Sequence, residues 1–251
     1  MFSLHGKTAL VTGSSRGIGK AIAMKLAEAG ANIIVHGKKD GKTAQNTVGE
    51  IRNLGANCYS FFADTSEPNE VFNMFNKIDE EIGCPDILVN NAAILTRNSF
   101  LELTVEEWDK LMNTNARGYF LCSQCAAKMM VKRGSGGKII NISSISQFEA
   151  AVGRTHYCAT KGAIGMLTKG MALELAPYKI NVNAVLPGSI STDFNSDVLS
   201  DKEYYDNCVK GIPFGRIGRP EDIAGAVVML ASEEASYISG AEIVVDGAMT
   251  V

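Results

Sequence analysis

A glycine-rich turn between an apolar strand and a helical segment is the feature that most restricts the fold of this chain. The strand is predicted over Lys7 to Thr12 and runs into Gly13-Ser14-Ser15-Arg16-Gly17-Ile18-Gly19, after which a helical pattern continues to Gly30. Glycine lets the backbone turn tightly and approach a ligand, and the amino end of the following helix favours a bound phosphate. The turn therefore predicts a βαβ unit that binds a dinucleotide, although its T-G-x-x-x-G-x-G spacing differs from G-x-G-x-x-G.

The residues after the second strand indicate which dinucleotide is bound. That strand is predicted over Ala31 to His36, and an acidic residue at its end would bond the 2′-hydroxyl of NAD. The chain instead has Gly37-Lys38-Lys39 there, no carboxylate before Asp40, and a further cation, Arg16, in the glycine turn. Because cations suit a 2′-phosphate, we expect NADP, with NAD as the less favoured cofactor. The alternative is that both lysines are ordinary solvated turn residues.

Strands and helical patterns alternate along the rest of the chain. The further predicted strands cover residues 57–63, 86–89, 138–142, 180–185 and 242–245. Such alternation predicts an α/β fold of the Rossmann type with a doubly wound, mostly parallel sheet. We expect a single domain over residues 1–251, because α/β chains of this length often need no division. Within it, residues 191–218 show weak periodicity, and we interpret them as a mobile lid over the substrate.

Composition and charge narrow the class of protein. The 251 residues are 46% hydrophobic, with a formal net charge of −3 and no long basic block, so nucleic acid is not expected as a partner. No apolar run of about 18 residues and no signal-peptide pattern is present, so we expect a cytoplasmic protein without a membrane partner. Six scattered cysteines suit reduced thiols. Cys122 and Cys125 form a C-x-x-C pair without a second pair or a histidine cluster, so we expect packed thiols and no metal.

The stretch from Asn141 to Lys161 carries the residues with the clearest chemistry. Tyr157 and Lys161 are four residues apart and would lie on one face of a helix, while Ser144 follows the predicted strand 138–142. A nearby cation favours a phenolate and lowers the phenol pKa from its usual value of ~10. We therefore predict that Tyr157 gives and takes a proton near neutral pH, with Ser144 bonding the substrate oxygen or the phenol. A Y-x-x-x-K pattern alone is common, so this interpretation depends on the other motifs.

Polar or small residues also stand at the ends of other predicted elements. Asp64 follows the third strand, where it would bond the adenine amino group, and Asn90-Asn91-Ala92-Ala93 follows the fourth. A capping box at Thr104 opens a helix predicted to continue to about Val131. Asn115 lies inside that helix, and because asparagine is a poor helix former we expect it to have a bonding role.

Together these motifs resemble the short-chain dehydrogenase/reductase family over essentially the whole chain. The matching segments are TGSSRGIG at 12–19, Asp64, NNAA at 90–93, Asn115, NISS at 141–144, YCATK at 157–161 and PGSIST at 187–192. The resemblance implies a seven-stranded parallel sheet flanked by helices and hydride transfer between NAD(P) and an alcohol or carbonyl of a small molecule. It also implies a homotetramer in which the Asn115 and Tyr157 helices pack across subunits. Ala93 is a small departure, since many members have glycine there.

The resemblance also implies roles for individual residues. It assigns a catalytic tetrad: Asn115, Ser144, Tyr157 and Lys161. Tyr157 would be the general acid/base, Ser144 rather than Ser143 would polarise the substrate oxygen, Lys161 would bind the nicotinamide ribose and lower the phenol pKa, and Asn115 would hold a water in a proton relay. The residues expected at the cofactor are Gly13, Ser15, Arg16, Gly17, Ile18, Gly19, Lys38, Asp64, Thr65, Asn91, Ala92, Ala93, Tyr157, Lys161, Pro187, Gly188, Ile190 and Thr192.

The substrate stays open between two enzyme types, and we favour a sugar oxidised at its C1 hydroxyl. Residues 155–157, 184–195 and 199–201 resemble those of L-rhamnose 1-dehydrogenases and related sugar dehydrogenases. The side chains expected to bond a polyhydroxylated ligand are Ser144, Gln147, Glu149, His156 and Asn195. The alternative for each loop residue is a solvated side chain, and for His156 a packed position beside the helix.

The second type is a 3-oxoacyl-[acyl carrier protein] reductase. Such enzymes dock an acidic carrier with basic residues, but Tyr178 stands where one arginine is expected, which leaves Lys132 and Arg133 as substitutes. A non-catalytic dinucleotide sensor is a third alternative, although such proteins usually lack the tyrosine or the lysine.

Overall fold

Seven parallel strands form one sheet in the computed structural model, which describes residues 2–193 and 201–251. The strands are β1 (Thr8–Val11), β2 (Asn32–Gly37), β3 (Cys58–Phe62), β4 (Ile87–Asn90), β5 (Gly137–Ile142), β6 (Ile180–Pro187) and β7 (Glu242–Val245). Their order across the sheet is β3-β2-β1-β4-β5-β6-β7. The chain reverses its direction of progress between β1 and β4, which is the doubly wound arrangement. The predicted Rossmann fold is therefore confirmed.

Successive strand residues point to opposite sides of the sheet. Apolar side chains therefore face both sides, and helices cover each of them. The helices are α1 (Gly17–Glu28), α2 (Lys42–Asn53), α3 (Pro68–Glu81), α4 (Val105–Leu111), α5 (Gly118–Arg133), α6 (Thr155–Leu175), α7 (Lys202–Lys210) and α8 (Pro220–Ala231). In β1, Ala9 and Val11 pack into a core with α1, α2 and α8, whereas Leu10 packs into a second core with α3, α5 and α6. Burial of the apolar side chains on these two faces holds the layers together.

Parallel strands bring their carboxyl ends to one edge of the sheet, and this edge collects the predicted motifs. The glycine turn follows β1, the Asn91 loop follows β4, the serines follow β5 and residues 188–193 follow β6. Open α/β sheets bind ligands in the crevice beside the point where strand order reverses. Here that point lies between β1 and β4.

The long helix predicted from Thr104 to about Val131 is interrupted. Thr104 Oγ1 accepts a hydrogen bond from Glu107 N (3.2 Å), which confirms the capping box. The chain then passes from α4 through a π-helix, Met112–Arg117, before α5 begins. Asn115 lies in this π-turn, a kind of irregularity that is frequent at functional sites.

The predicted lid has one described helix. Residues 191–193 and 201–218 belong to the described part of the chain. Asp201 caps α7, since its carboxylate accepts a hydrogen bond from Tyr204 N (2.8 Å). Because the periodicity of this segment is weak, the sequence did not predict that helix. Movement of the segment over a substrate stays a prediction.

Two further findings concern the described residues as a whole. No helix within residues 2–193 and 201–251 combines the length and apolar character that crossing a membrane requires. All six cysteines are free thiols, and Cys122 is buried within α5.

Candidate active site

A cavity of about 800 Å³ runs along the carboxyl edge of the sheet. Its walls are the glycine turn, the ends of β2 and β3, and the loops after β4, β5 and β6. The lining includes every position that the sequence assigns to a cofactor: Gly13, Ser15, Arg16, Gly17, Ile18, Gly19, Lys38, Asp64, Thr65, Asn91, Ala92, Ala93, Tyr157, Lys161, Pro187, Gly188, Ile190 and Thr192. The fold thus brings together residues that are far apart in the chain.

The glycine turn leaves its backbone open to a ligand because no side chain fills it. Gly13 and Gly17 have φ angles of 65° and 58°, a region that favours glycine. A Cβ on Gly19 would lie 2.4 Å from the Gly13 oxygen and 2.5 Å from Asn91 Nδ2. The first turn of α1 carries no acidic residue that would repel a phosphate. This cradle at a helix amino end fits the pyrophosphate of a dinucleotide.

The neighbouring loop is fastened to the glycine turn by Asn91 and Thr12. Asn91 Nδ2 donates to the oxygens of Thr12 (2.9 Å) and Gly13 (3.2 Å), and Thr12 Oγ1 accepts from Asn91 N (2.9 Å) and Ala92 N (3.1 Å). Asn91 therefore holds two walls of the cavity together through its side chain.

His36 supports the same turn from β2, a role that sequence reasoning did not predict. Its Nδ1 accepts from Gly13 N (3.0 Å), and its Nε2 lies 3.1 Å from the oxygen of Ala63. Burial lowers the pKa of His36 to about 4, so the ring is neutral, with Nδ1 as acceptor and Nε2 as donor. A histidine ending an otherwise apolar strand was the available signal.

The cations expected at the 2′-phosphate already have carboxylate partners. Lys38 Nζ lies 2.5 Å from Asp64 Oδ2, and Arg16 lies 3.8 Å from Asp193. Asp64 also accepts from Ser66 N (3.0 Å) and Ser66 Oγ (2.7 Å). Burial alone would raise the pKa of Asp64, but the hydrogen bonds from Lys38 and Ser66 outweigh it and lower that pKa. Lys38 and Arg16 stay largely exposed, at 68% and 70%, so both remain accessible to a phosphate.

Tyr157, Ser144 and Lys161 meet at the other end of the cavity. Burial raises the pKa of Tyr157 to about 12, against a hydrogen bond from Ser144 that lowers it. Lys161 Nζ donates to the Ile142 oxygen (2.9 Å) and lies 5.5 Å from the centre of the Tyr157 ring, and burial lowers the lysine pKa to about 7. The expected lowering of the phenol pKa is absent here, because burial disfavours both charged forms.

The second serine has a different set of partners. Ser143 Oγ donates to Gln147 Oε1 (2.9 Å) and lies 3.4 Å from the Lys161 oxygen. Ser144 is the serine whose side chain contacts the Tyr157 phenol.

Asn115 is fully buried and does not line the cavity. Its Oδ1 accepts from Ile94 N (2.8 Å), and its Nδ2 donates to the Ile94 oxygen (2.9 Å) and to Thr160 Oγ1 (3.3 Å). Both amide donors are used, so the side chain fixes the loop after β4 against α6. That Asn115 holds a relay water stays a prediction. In this geometry its side-chain amide bonds the backbone of Ile94 and the Thr160 hydroxyl.

Of the side chains expected at the substrate, Ser144 and Glu149 line the cavity and two others do not. Gln147 points toward α6, where a Cβ on Gly165 would lie 2.5 Å from its Cδ. His156, in the first turn of α6, is 0% exposed and its Nε2 lies 2.7 Å from Thr96 Oγ1, so it packs against the loop after β4. Asn195 lies outside the described residues.

Sequence reasoning missed other residues that line the same cavity as Tyr157. Arg97, Arg154 and Tyr204 line the cavity, and Arg154 Nη2 lies 3.4 Å from Tyr204 Oη in α7. Arg154 stands three residues before Tyr157, one helical turn away, and that spacing was the available signal. We call the region lined by Ser144, Glu149, Arg154, Tyr157 and Tyr204 the reacting end of the cavity.

The chain is similar to known dehydrogenases and reductases over nearly its whole length. A family model described as enoyl-(acyl carrier protein) reductase matches residues 13–250. An L-rhamnose 1-dehydrogenase (NAD(P)(+)) of Azotobacter vinelandii is 40% identical over 251 residues, covering 99% of this chain and 98% of its own length. The 3-oxoacyl-[acyl-carrier-protein] reductase FabG of Staphylococcus aureus is 41% identical over 243 residues, covering 97% and 98%. The crystal structure of a gluconate 5-dehydrogenase from Burkholderia cenocepacia, in complex with NADP and tartrate, superposes with a TM-score of 0.95 at 37% identity, covering 99% and 97%.

Proposed function

The chain belongs to the short-chain dehydrogenase/reductase family, and we propose that it oxidises a hydroxyl group of a sugar, with the C1 hydroxyl of an aldose as the first candidate. At the coarser level it is an NAD(P)-dependent oxidoreductase acting on a small molecule. The observation that carries the sugar proposal is the polar reacting end, where Ser144, Glu149, Arg154, Tyr157 and Tyr204 surround one space. A site that offers hydrogen bonds to several hydroxyls rejects analogues that lack them.

NADP is the cofactor, and the cavity offers groups for each of its parts. We assign the pyrophosphate to the glycine turn, the 2′-phosphate to Lys38 and Arg16, the nicotinamide ribose to Lys161 and the carboxamide to Thr192. When bound, NADP supplies the acceptor of the hydride in oxidation and its donor in reduction. In this assignment, Lys38 and Arg16 exchange their carboxylate partners for the 2′-phosphate when NADP binds.

The proton of the reacting hydroxyl moves to Tyr157 in the oxidation that we propose. Tyr157 Oη, as the phenolate, accepts the proton while Ser144 Oγ hydrogen-bonds the substrate oxygen. Ionising this buried phenol requires a nearby cation, since its pKa is raised to about 12. Lys161, in its protonated form, is the group placed to compensate the phenolate. In reduction the same groups return the proton to the carbonyl oxygen.

An acyl carrier reductase is the second candidate, favoured by the 41% identity to FabG. The cations suggested to dock the carrier have other partners within this chain. Lys132 lies 3.9 Å from Asp79, and Arg133 lies 2.9 Å from Asp86 next to the start of β4, at the edge of the sheet opposite the cavity.

The discriminating test compares both reactions with one preparation. NADP reduction is measured with L-rhamnose, other 6-deoxy sugars, glucose and sugar acids, and NADPH oxidation with an acetoacetyl thioester. We expect sugar oxidation with kcat/KM well above that for the thioester, and its loss in Tyr157→Phe. Efficient thioester reduction without oxidation of any polyhydroxylated compound would overturn the proposal.

A further inference from the structure

The ammonium of Lys161 lies between two aromatic rings. Its Nζ is 5.5 Å from the centre of the Tyr157 ring, on the same helix, and 5.5 Å from the centre of the Tyr119 ring, on α5. Both distances fall within the ~6 Å over which the face of an aromatic ring attracts a cation. Tyr157 has a role in the proposed proton transfer, whereas Tyr119 has none.

Tyr119 is held beside the ammonium by the carbonyl that also holds the lysine. Tyr119 Oη donates to the Ile142 oxygen at 2.9 Å, and Lys161 Nζ donates to the same oxygen at 2.9 Å. A carbonyl oxygen has two lone pairs, so it accepts both bonds at once. Ile142 is the last residue of β5, and Ser144 follows directly after the strand. The Tyr119 hydroxyl therefore fixes its ring next to the lysine at the end of the strand that leads to the reacting serine.

Tyr119 does not contact the space in which a substrate would react. It is 2% exposed and does not line the cavity, whereas Tyr157 and Lys161 do. Burial raises the pKa of Tyr119 well above its usual value, so its phenol stays neutral at any ordinary assay pH. An effect of Tyr119 on the reaction must therefore pass through Lys161.

The charge state of Lys161 depends on its immediate surroundings. Burial is the cause that lowers its pKa to about 7. The other titratable or charged groups that affect this region act on the two phenols and are Arg154, Cys158 and Cys122. Within the described part of the chain, the two rings and the carbonyl between them are the groups placed to stabilise the ammonium against burial.

We propose that Tyr119 is a positioning residue that keeps Lys161 protonated beside the reacting phenol. This role rests on the proposed proton transfer through Tyr157, and not on the identity of the substrate. Tyr157 and Lys161 can share one proton in two ways: it lies on the lysine, which leaves the phenolate that accepts a proton, or on the phenol, which leaves the lysine neutral. Attraction of the ammonium to the Tyr119 ring favours the first, reactive arrangement.

The first experiment measures the charge state of Lys161 without a substrate. The free energy of unfolding rises with pH above the folded pKa of the lysine, which is about 7, because the unfolded chain then keeps a proton that the folded chain has lost. Urea unfolding at a series of pH values locates the start of this rise. In Tyr119→Leu and Tyr119→Met, which both remove the ring, it should begin about 0.5–1.5 pH units lower, since loss of a cation–π contact disfavours the ammonium. Tyr119→Phe keeps the ring and should retain most of the unaltered value.

Two controls separate this effect from a loss of packing. Met130→Ala opens a cavity at the other end of α5, where Met130 is 0% exposed and packs against Gly137, and it should lower stability without moving the start of the rise. In a Lys161→Met background, Tyr119→Leu should change stability equally at every pH, because no ammonium remains. A start of the rise that is unchanged or higher in the variants without the ring overturns the role of Tyr119, whatever the substrate.

The second experiment follows the reaction. We measure kcat/KM against pH for NADP reduction with L-rhamnose and for NADPH oxidation with an acetoacetyl thioester. In the variants without the ring, the acid limb of the oxidation or the alkaline limb of the reduction should move to lower pH by the same amount. The plateau of the oxidation should fall by about 3- to 30-fold, because fewer molecules hold the phenolate. Tyr119→Phe should restore both values.

A purely structural role of Tyr119 predicts a different result. It lowers activity and leaves both limbs in place, as Met130→Ala should, and that result in Tyr119→Leu overturns the inference. Thioester reduction without sugar oxidation, with the alkaline limb shifted, overturns the proposed sugar oxidation and supports the role of Tyr119. If neither compound is turned over, the unfolding experiment decides.

Discussion

Replacing Lys161 with methionine is expected to stabilise the fold while it removes activity. The lysine is 2% exposed, and burial lowers its pKa to about 7. The Ile142 oxygen, which accepts the hydrogen bond from Lys161, keeps a partner without the lysine, because it also accepts from Tyr119 Oη at 2.9 Å. Methionine has a similar length and no charge, so it fills the site without leaving that carbonyl unpaired.

The magnitude follows from the difference between the folded and unfolded pKa values. Between about pH 7 and 10.5 the unfolded chain keeps a proton that the folded chain has lost, so stability of the unaltered protein rises with pH in this window. The lysine is therefore most unfavourable below pH 7, where the shift corresponds to on the order of 4–5 kcal/mol. Loss of one hydrogen bond offsets ~1 kcal/mol of the gain. We expect Lys161→Met to raise the free energy of unfolding by on the order of 3 kcal/mol at about pH 6 and by close to none at about pH 10.

Urea unfolding of the unaltered protein and Lys161→Met at several pH values, at one protein concentration, measures this difference. The control is Lys128→Met, because Lys128 is exposed and bonds only the neighbouring Gln124 side chain (3.2 Å) among the described contacts. The control should show no dependence of the difference on pH. A Lys161→Met variant that is less stable than the unaltered protein by the same amount at every pH would refute the reasoning, since a buried charge then could not be the source.

Three other substitutions test the site. Tyr157→Phe should reduce kcat by about 10²–10⁴-fold, the usual contribution of a general acid/base, with NADPH binding measured by fluorescence retained; near-normal turnover contradicts the assignment. Gly37→Asp should shift the preference, measured as kcat/KM, from NADP toward NAD, because a carboxylate there repels a 2′-phosphate. The side chain fits, since a Cβ at this position meets nothing closer than 3.5 Å. An unchanged ratio would mean that Lys38 and Arg16 do not bind the phosphate. Gly19→Ala should weaken NADP binding at least tenfold and cost ~1–3 kcal/mol of stability, since its Cβ would overlap the Gly13 oxygen; normal binding and melting contradict the cradle geometry.

The fold was predictable because its signals are local. The strand, glycine turn and helix at 7–30 lie within one short stretch, and alternating apolar segments identified each of the seven strands to within a few residues. The π-helix at Met112–Arg117 was not predictable from the same signals, because helical periodicity continues through it. Asn115, which lies in this π-helix, bonds the backbone of Ile94, 21 positions away, and a contact of this range leaves no local pattern in the sequence.

The direction of individual side chains was the part that the sequence could not supply. Gln147 and His156 stand near Tyr157 in the chain, yet one turns to Ser143 and the other to Thr96. Arg97 is 60 positions away from Tyr157 and reaches the same cavity through the loop after β4. Proximity in sequence therefore predicted Gln147 and His156 at the substrate and did not predict Arg97 at the cavity. Tertiary packing decides which residues face a cavity.

The charges of the cavity divide it into two ends with different requirements. At the cofactor end, Lys38 and Arg16 are paired with Asp64 and Asp193, so a 2′-phosphate must compete with carboxylates that are already bound. Such an exchange adds selectivity more than affinity, because the gain with phosphate is reduced by the loss of the original pair. At the reacting end, Arg154 instead contacts an uncharged partner, the Tyr204 hydroxyl, at 3.4 Å. In our assignment Lys38 and Arg16 thus select the cofactor at one end, whereas at the other end the charge of Arg154 lowers the pKa of Tyr157 against the larger effect of burial.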